Sequence, residues 1–487
     1  IFSVCDICSA KTTKMSHCKI CGTTEKECPH GGNIHYKVQK LNLNEHFKNT
    51  LKRLGMSQYP DLIKGVRGTS NKDHVPEHFA KGILRAKHDV SVNKDGTTRY
   101  DMTQLPITHF KPNEIGTSFE QLRKMGYSKD INGNELENDN QVIELRAQDI
   151  ILPKCVDAPE AGADEVLFNV GNFMDEMLVS LYGVGKFYNF KSREDLVGEL
   201  VVALAPHTSA GIVGRIIGFS QTQGFYAHPL FHAATRRDCD GDEASVTLLM
   251  DALVNFSRHF LPNSRGATQD APLVLTSILI PSEVDDMIFD LDVANKYSLD
   301  FYDAAQRFEM PGNVKVAKFA HILDSNNVYS SIYYTHEVDC INNGIKCSSY
   351  KTIPSMEDKL KGQMDLADKI RAVDATDVAR LVIEKHLLRD IKGNLRKFST
   401  QQFRCSKCTE KYRRPPLVGK CLACGSRLLF TVTEGSIVKY LEPAISLSDK
   451  YNLPPYLKQV LVLTKHRVEG VFGREKDKQE GLNRWFG

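Results

Sequence analysis

The sequence predicts a multi-domain α+β protein built around compact barrels, and three observations predict it. Its 487 residues are too many for one hydrophobic core, so two to four domains are expected. Hydrophobic residues make up 41% and charged residues 25%, ordinary values for a chain that folds throughout. Helix-like and strand-like stretches alternate without the regular strand–helix–strand spacing of a doubly wound sheet, which favours short strands wrapped into barrels.

The first element is a cysteine framework. Eight of the 13 cysteines fall into four CxxC pairs: Cys5 with Cys8, Cys18 with Cys21, Cys405 with Cys408, and Cys421 with Cys424. Two CxxC turns joined by a short loop supply four thiolates in the tetrahedral arrangement that Zn²⁺ takes, so two Cys₄ zinc ribbons are expected. Gly22 and Gly425, just after the last ligands, suit the sharp turn of such a knuckle. Cys28 and His30 read as loop residues, and Cys155, Cys340 and Cys347 as lone thiols.

After the first ribbon, NEHFKNTLKRLGM (44–56) has helical periodicity and a glycine stop. VSVNKDGTTRYDM, within the β-like span 59–110, predicts a hairpin that turns at Asp95-Gly96. A polar loop at 130–141 leads to an alternating strand, VIELRAQDIIL (142–152). Residues 164–190 read as helix, LVGELVVALA (196–205) is strongly apolar, and 205–256 is dense in glycine, histidine and β-branched residues. A long buried helix is expected over 244–260, and a buried strand over 271–279. Residues 355–400 are charged and helix-prone. The second ribbon is followed by strand-like LLFTVTEG, a helical segment and a charged tail.

Net charge is only +3, so no global field demands a polyanionic partner, and any nucleic-acid surface must come from local clustering. No apolar run reaches membrane-spanning length and no basic-then-apolar signal opens the chain, so a soluble intracellular protein is expected. The chain starts at Ile1, four residues before a cysteine motif, and reads as part of something longer. It holds no internal repeat and no low-complexity tract.

The chemistry concentrates at RRDCDGDEAS (236–245). Asp238, Asp240 and Asp242 alternate along the chain, so in an extended backbone they share one face, roughly 6–7 Å apart per step. Bent at Gly241, they can close on hard divalent cations, and two Mg²⁺ about 3.5–4 Å apart would clamp the attacking and leaving oxygens of a nucleotidyl transfer. An EF-hand loop would need Gly at Glu243 and Glu at Leu249. A solvated acidic turn capping the following helix, or a purely structural cation site, remains open from these residues alone. Arg236 and Arg237 immediately upstream, with Arg215, Arg265, His207, His228 and His232 in the same region, suit the approach of a polyanion. Each histidine alone reads as a packed or hydrogen-bonded residue.

DCDGD resembles the DxDGD metal loop that multisubunit RNA polymerases carry on a double-psi β-barrel. The longer strings HPLFHAATRRDCDGDEASVTLLMDALVNFSRHFLPNSRGATQDAPLVLT (228–276), TTRYDMTQLPITHFKPNEIGTSFEQLRKMGY (97–127) and THEVDC (335–340) resemble the large subunit of the archaeal family D DNA polymerases. The resemblance runs from the first ribbon to the tail, and the family's subunit is considerably longer. It implies two double-psi barrels facing each other across an active site, with Asp240 and Asp242 carrying catalytic Mg²⁺. The family usually has Asn at the position of Asp238, which leaves open whether Asp238 binds metal directly. The barrel around 80–152 would supply Lys87 and Lys111 to the triphosphate or primer end, and Arg236 and Arg237 would neutralise phosphate charge. The implied reaction is template-directed addition of dNMP to a primer. The partners are primer–template DNA, dNTPs and a small subunit bearing a metal-dependent 3′→5′ exonuclease, of which this chain shows no motif. A nucleoid-associated, cytoplasmic location follows. An RNA polymerase-like nucleotidyltransferase and a non-catalytic zinc-ribbon scaffold for DNA are the alternatives.

The tail adds a partner. Gln479, Leu482, Trp485 and Phe486 fit the Q-x-x-L-x-x-aromatic-aromatic pattern of peptides that bind the sliding clamp (PCNA). Leu482, Trp485 and Phe486 at i, i+3 and i+4 would share one face of a helical turn, a single plug for an apolar pocket. The competing reading is a C-terminal helix docked on its own domain. The expected partition is a zinc ribbon at 1–35, a first barrel at 36–152, a helical connector at 153–200 and a second barrel with the acidic loop at 201–300. A mixed region at 301–400, the second ribbon at 401–430, an accessory segment at 431–470 and the tail at 471–487 complete it.

Overall fold

The computed structural model describes residues 42–66, 77–237, 241–260, 273–294, 296–330, 332, 339–347, 353–430 and 432–473, and the backbone of 2–5, 11–12 and 34–37. The chain forms two compact units, Ile1–Cys347 and Ser348–Gly487. In the first, β1 (Phe2–Cys5) lies between β2 (Lys11–Thr12) and β3 (Ile34–Lys37) and runs antiparallel to both. The side chains of Cys5, Cys8, Cys18 and Cys21, the first expected zinc set, lie outside the described residues.

Most of the remaining strands of this unit form one large sheet. It comprises β4 (Tyr100–Pro106), β7 (Asp149–Pro153), β8 (Leu200–Leu204), β9 (Ala210–Ser220), β10 (Gly224–Ala227), β11 (Glu243–Leu248) and β12 (Val274–Thr276). A separate pair, β5 (His109–Phe110) with β6 (Ile143–Glu144), lies between β4 and β7 in the chain. Around the large sheet the order is β9, β7, β10, β4, β11, β8, and β8 pairs again with β9, so six strands close on themselves. The β4–β10 and β7–β9 ladders are parallel, and the other four are antiparallel. Closure removes the unpaired edges that an open sheet would present.

The expected partition gives spans 36–152 and 201–300 one barrel each; among the described residues β4 and β7 from the first and β8 to β11 from the second share one ring. The reason is the position of β4, which takes β10 on one side and β11 on the other, both from beyond residue 200.

Period-two alternation sorts the strand side chains into layers. Ile150, Leu152, Val201, Ala203, Phe225, Ala244 and Val246 join a core shared with Leu167, Val170 and Phe173 of the helix Ala163–Met177. Val202 and Leu204 point the other way and are covered by Ala252 of the helix Leu249–Asn255. Ile151, Ile217 and Tyr226 pack under Phe110, Ile115, Leu122 and Tyr127.

Several local expectations change. Residues 244–260 form a strand, β11, and then a short helix, because β11 is paired on both sides and Ala244 to Leu248 are all buried. A strand buried on both faces loses the alternation that would distinguish it from a helix. The Asp95-Gly96 turn forms, with the Asn93 amide donating to the Thr97 carbonyl (2.7 Å) and Gly96 at φ 97°, but its arms do not pair as a hairpin. The turn docks instead against the segment after Asn255, where the Ser257 amide donates to the Asp95 carbonyl (2.8 Å). The strand expected over 142–152 splits into β6 and β7. The helix expected to reach 190 ends at Met177, followed by a π-helical turn to Tyr182 and the left-handed Gly183. Of the segment expected as a buried strand, the described residues 273–279 include three strand residues, with Val274 49% exposed, and among the described residues β12 pairs only with β9.

In the second unit, helices Met356–Lys369, Ala375–Leu381 and Leu388–Thr400 precede a three-stranded sheet. There β13 (Phe403–Cys405) lies between β14 (Lys411–Tyr412) and β15 (Leu428–Leu429). Helices Leu441–Lys450 and Pro455–Phe472 follow, and Met364, Ile383, Leu447, Leu457 and Leu461 form their common core. No helix among the described residues is long and apolar enough to cross a membrane.

Candidate active site

The acidic loop joins the helix Pro229–Ala234 to β11. The helix starts where His228 Nδ1 accepts from the Leu230 amide (3.2 Å), and Pro229 supplies a first-turn residue that needs no partner for a missing N–H. It ends at Thr235, and Arg236 takes a left-handed conformation with φ 62°, which turns the chain out of the helix. Gly241 has φ 104° with open space where a Cβ would sit, so the conformation rather than crowding calls for glycine. Asp242 then anchors to β4, its carbonyl accepting from the Gln104 amide (2.9 Å), and Glu243 pairs with Thr103.

Around the loop, the carboxylate of Asp242 is partly exposed, and Arg237 Nε lies 3.5 Å from its Oδ2. The same Nε donates to the Glu243 carbonyl (3.4 Å). Such a long, partly solvated contact contributes little stability and leaves the carboxylate available. Asp238 and Asp240 lie outside the described residues. His228 and His232 beneath the loop are fully buried, and burial holds them near pKa 4 and 3 respectively, so both are neutral at pH 7. His207 is exposed.

The two candidate lysines have other partners. Lys87, at the end of the helix Phe79–Lys87, holds both oxygens of Glu176 (2.6 and 2.8 Å), and His88 Nε2 lies 2.7 Å from one of them. Burial pushes the Glu176 carboxyl up, but Lys87 and His88 outweigh it and hold it below its ordinary value. Lys111 Nζ donates to the Asp339 carbonyl (2.9 Å), clamping 339–345 beside Glu114. Arg215 is bound in two-pronged fashion to Asp149 (2.8 and 2.7 Å). Of the candidate cations, Arg236 and Arg237 belong to the acidic loop, and neither lysine makes a described contact with Asp242.

Cys405, Cys408, Cys421 and Cys424 converge so that all four Sγ atoms lie within 4.8 Å of one another. Three of the Sγ pairs are 3.4 Å apart. Four thiolates about 2.3 Å from a central Zn²⁺ would be spaced by about 3.8 Å, so the set fits tetrahedral zinc after a small expansion.

The family described as "DNA polymerase II large subunit DP2, catalytic domain" matches residues 55–359, a span that includes the whole acidic loop. The chain is 48% identical to the DNA polymerase II large subunit of Archaeoglobus fulgidus over 490 aligned residues, 98% of this chain and 42% of that protein. It is 46% identical to the Nanoarchaeum equitans subunit of the same name, over 91% of this chain and 37% of that protein. With the Pyrococcus furiosus subunit identity is 48%, over 85% of this chain and 32% of that protein. This chain belongs to the DNA polymerase II large subunit family. It spans about two fifths of the length of the Archaeoglobus relative.

Within that family frame, the described part of the loop contributes one carboxylate of the three that the sequence offers a hard cation. Asp242 offers a partly exposed carboxylate on an anchored backbone, and the arginine beside it is held only weakly. Sequence reasoning missed the supports beneath. Gln104, on β4, donates from Nε2 to Thr235 Oγ1 (3.0 Å), and both residues are fully buried. A second buried network lies at the other end of β11, away from the loop: Asp251 accepts from the Thr98 amide (2.7 Å) and from Asn255 Nδ2 (2.7 Å), and Lys81 Nζ donates to Asn255 Oδ1 (2.7 Å). No spacing in a single sequence signals contacts between residues 131 or 153 positions apart. Gln479, Leu482, Trp485 and Phe486, the expected clamp-binding motif, lie outside the described residues.

Proposed function

We propose that this chain carries the nucleotidyl-transfer centre of a DNA polymerase, adding dNMP to a primer 3′-hydroxyl under template direction and releasing pyrophosphate. The observation that carries the proposal is the acidic loop, anchored at the start of β11, inside the span matched by the catalytic-domain family. Asp240 and Asp242 would hold Mg²⁺, with Asp238 close enough in sequence to join them. Two bound Mg²⁺ would lower the pKa of the primer hydroxyl and steady the leaving pyrophosphate. The protein's own part is to fix the carboxylates on a closed barrel and to place Arg236 and Arg237 where triphosphate charge arrives. Lys87 and Lys111 would join only by exchanging Glu176 and the Asp339 carbonyl for phosphate oxygens.

Several wider features belong to the same proposal. The six-stranded ring, with its two parallel ladders, is taken as a double-psi barrel. Zn²⁺ at Cys405, Cys408, Cys421 and Cys424, and at Cys5, Cys8, Cys18 and Cys21, would be structural. Primer–template DNA and dNTPs are the substrates. The relatives are called large subunits, which supports a smaller companion, the exonuclease subunit. The tail would tether the polymerase to its clamp, raising processivity, and the work would be done at the nucleoid. Primer extension with Mg²⁺ tests the central reading. Extension with dNTPs in preference to NTPs is expected, and so is its loss in the Asp240→Ala, Asp242→Ala double variant. Equal use of NTPs would favour an RNA polymerase-like enzyme, and extension unaffected by the double variant would leave a DNA-binding scaffold.

A further inference from the structure

Gln104 touches the acidic loop at both of its ends. Its backbone amide donates to the Asp242 carbonyl (2.9 Å), at the exit into β11. Its side-chain Nε2 donates to Thr235 Oγ1 (3.0 Å), at the entry from the helix Pro229–Ala234. The orientation of the side-chain amide is fixed by chemistry. The Thr235 hydroxyl donates its one hydrogen to the His232 carbonyl (2.7 Å), so toward Gln104 it can only accept, and the group facing it must be NH₂. Between the two attachments run Arg236 to Gly241, including the left-handed residues Arg236 and Gly241.

This amide is a poor device for stability alone. Gln104 is fully buried, and its Oε1 has no hydrogen-bond donor among the described residues. A buried polar group that is only half satisfied is worse for stability than an apolar one of the same shape. What the amide does accomplish is geometric, because it fixes the separation between the two ends of the loop on a strand that is itself paired on both sides. Asp242, which this anchor delivers to β11, would have to meet a cation within a few tenths of an ångström, and residues that orient ligands from behind commonly set metal affinity.

We propose that Gln104, through Thr235, is a positioning residue that sets the divalent-cation affinity of the acidic loop. The proposal rests on the reading of that loop as the Mg²⁺ platform. Binding of Mn²⁺, a hard-cation stand-in for Mg²⁺, to the full chain can be followed by electron paramagnetic resonance alongside thermal unfolding. The variants are Gln104→Met, Thr235→Val, the two combined, and Thr235→Ser. The expected result is a rise of roughly tenfold in the Mn²⁺ concentration for half-saturation in Gln104→Met. The same rise is expected in Thr235→Val and no further rise in the double variant, with wild-type behaviour in Thr235→Ser. The double variant should unfold within a few degrees of wild type, since both partners of the bond are replaced by apolar groups. Wild-type Mn²⁺ affinity in the double variant would overturn the proposal, and so would weakened binding accompanied by a large fall in unfolding temperature, which would make Gln104 a support of the barrel at large. Asp242→Asn separates this from the underlying reading. Mn²⁺ binding that survives Asp242→Asn would defeat the platform itself, whereas binding lost in Asp242→Asn but intact in Gln104→Met defeats only the role of Gln104.

Discussion

Arg85 and Glu77 form a two-pronged ion pair out of solvent, with both N–O distances 2.7 Å and side-chain exposures of 0% and 5%. Arg85 also donates to the Gly96 carbonyl (2.9 Å) and lies over the Phe173 ring at 5.4 Å, while Glu77 accepts from the Val66 amide (3.0 Å). The pair thus ties the helix Phe79–Lys87 to the Asp95-Gly96 turn and to the helix Ala163–Met177. Removing one partner of such a pair strands a buried charge, at about 3–5 kcal/mol. Glu77→Leu should therefore destabilise the first unit by an amount in that range in denaturant unfolding. A loss under about 1 kcal/mol, the value typical of an exposed pair, would mean that water reaches Arg85.

His228 and His232 make stability depend on pH in a definite direction. Burial lowers both folded-state values, to about 4 and about 3, from an ordinary 6.5. Between those limits the unfolded chain binds protons that the folded chain does not, so stability is fully present above pH 6.5 and is lost as pH falls toward 4. The drops from 6.5 to about 4 and about 3 correspond to about 3–5 kcal/mol for each group as an upper scale. Carboxylates titrate in the lower part of the same window, so the informative quantity is a difference. The fall in unfolding free energy between pH 7 and pH 4.5 should be smaller in His232→Gln than in wild type. Equal slopes would show that His232 is protonated in the folded state.

What the sequence disclosed and what it hid follow from the range of the interactions. The zinc-ligand spacing of Cys405 to Cys424, the helix after Asn42 and the apolar character of 200–204 depend on neighbours in the chain, and they were legible. The turn at Gly241 was legible too, since glycine's freedom is local, whereas Asp238 and Asp240 lie outside the described residues. The barrel's closure was not, because β4 finds its partners more than 100 residues downstream, in β10 and β11. The same distance concealed Gln104 and Thr235. Residues 244–248 misled for a different reason, since burial on both faces erased their alternation. Lys87 and Lys111, expected at the triphosphate or primer end, are engaged by acceptors from distant segments that no local pattern signals.

Asp242 should be needed for chemistry more than for folding. Its side chain is partly exposed, and its one described ion pair, with Arg237, is 3.5 Å long. Replacing the carboxylate by an amide of the same shape keeps the backbone bond to Gln104. Asp242→Asn should leave the unfolding transition within about 0.5 kcal/mol of wild type, as for surface changes in general. In primer extension it should lower kcat by roughly a hundredfold or more, the scale for losing one preorganised electrostatic group. Primer–template affinity, measured by fluorescence anisotropy without dNTP, should hold or rise slightly as a negative charge is removed. A kcat close to wild type would remove Asp242 from the reaction.

The second ribbon should depend on its metal while the helices before it should not. Its apolar interior consists of little more than Cys405, Cys421 and Leu428, with Tyr412 against them, which is too small to hold β13, β14 and β15 together unaided. The helices Met356–Lys369 and Leu388–Thr400 instead bury Met364, Leu388 and Ile391 in larger clusters with the C-terminal helices. Sγ pairs at 3.4 Å are too far apart for disulfides, which need about 2.05 Å, so oxidation cannot replace the ion without movement. Cys408→Ser should thus lose one equivalent of zinc by mass spectrometry of the metal content. Amide exchange over 403–429 should rise toward that of an unfolded segment, because metal binding and folding are one equilibrium in so small a unit. Protection over 356–400 should persist. Unchanged zinc content in this variant would exclude Cys408 as a ligand, and collapse of protection across both regions would show that the ribbon is part of the helical core.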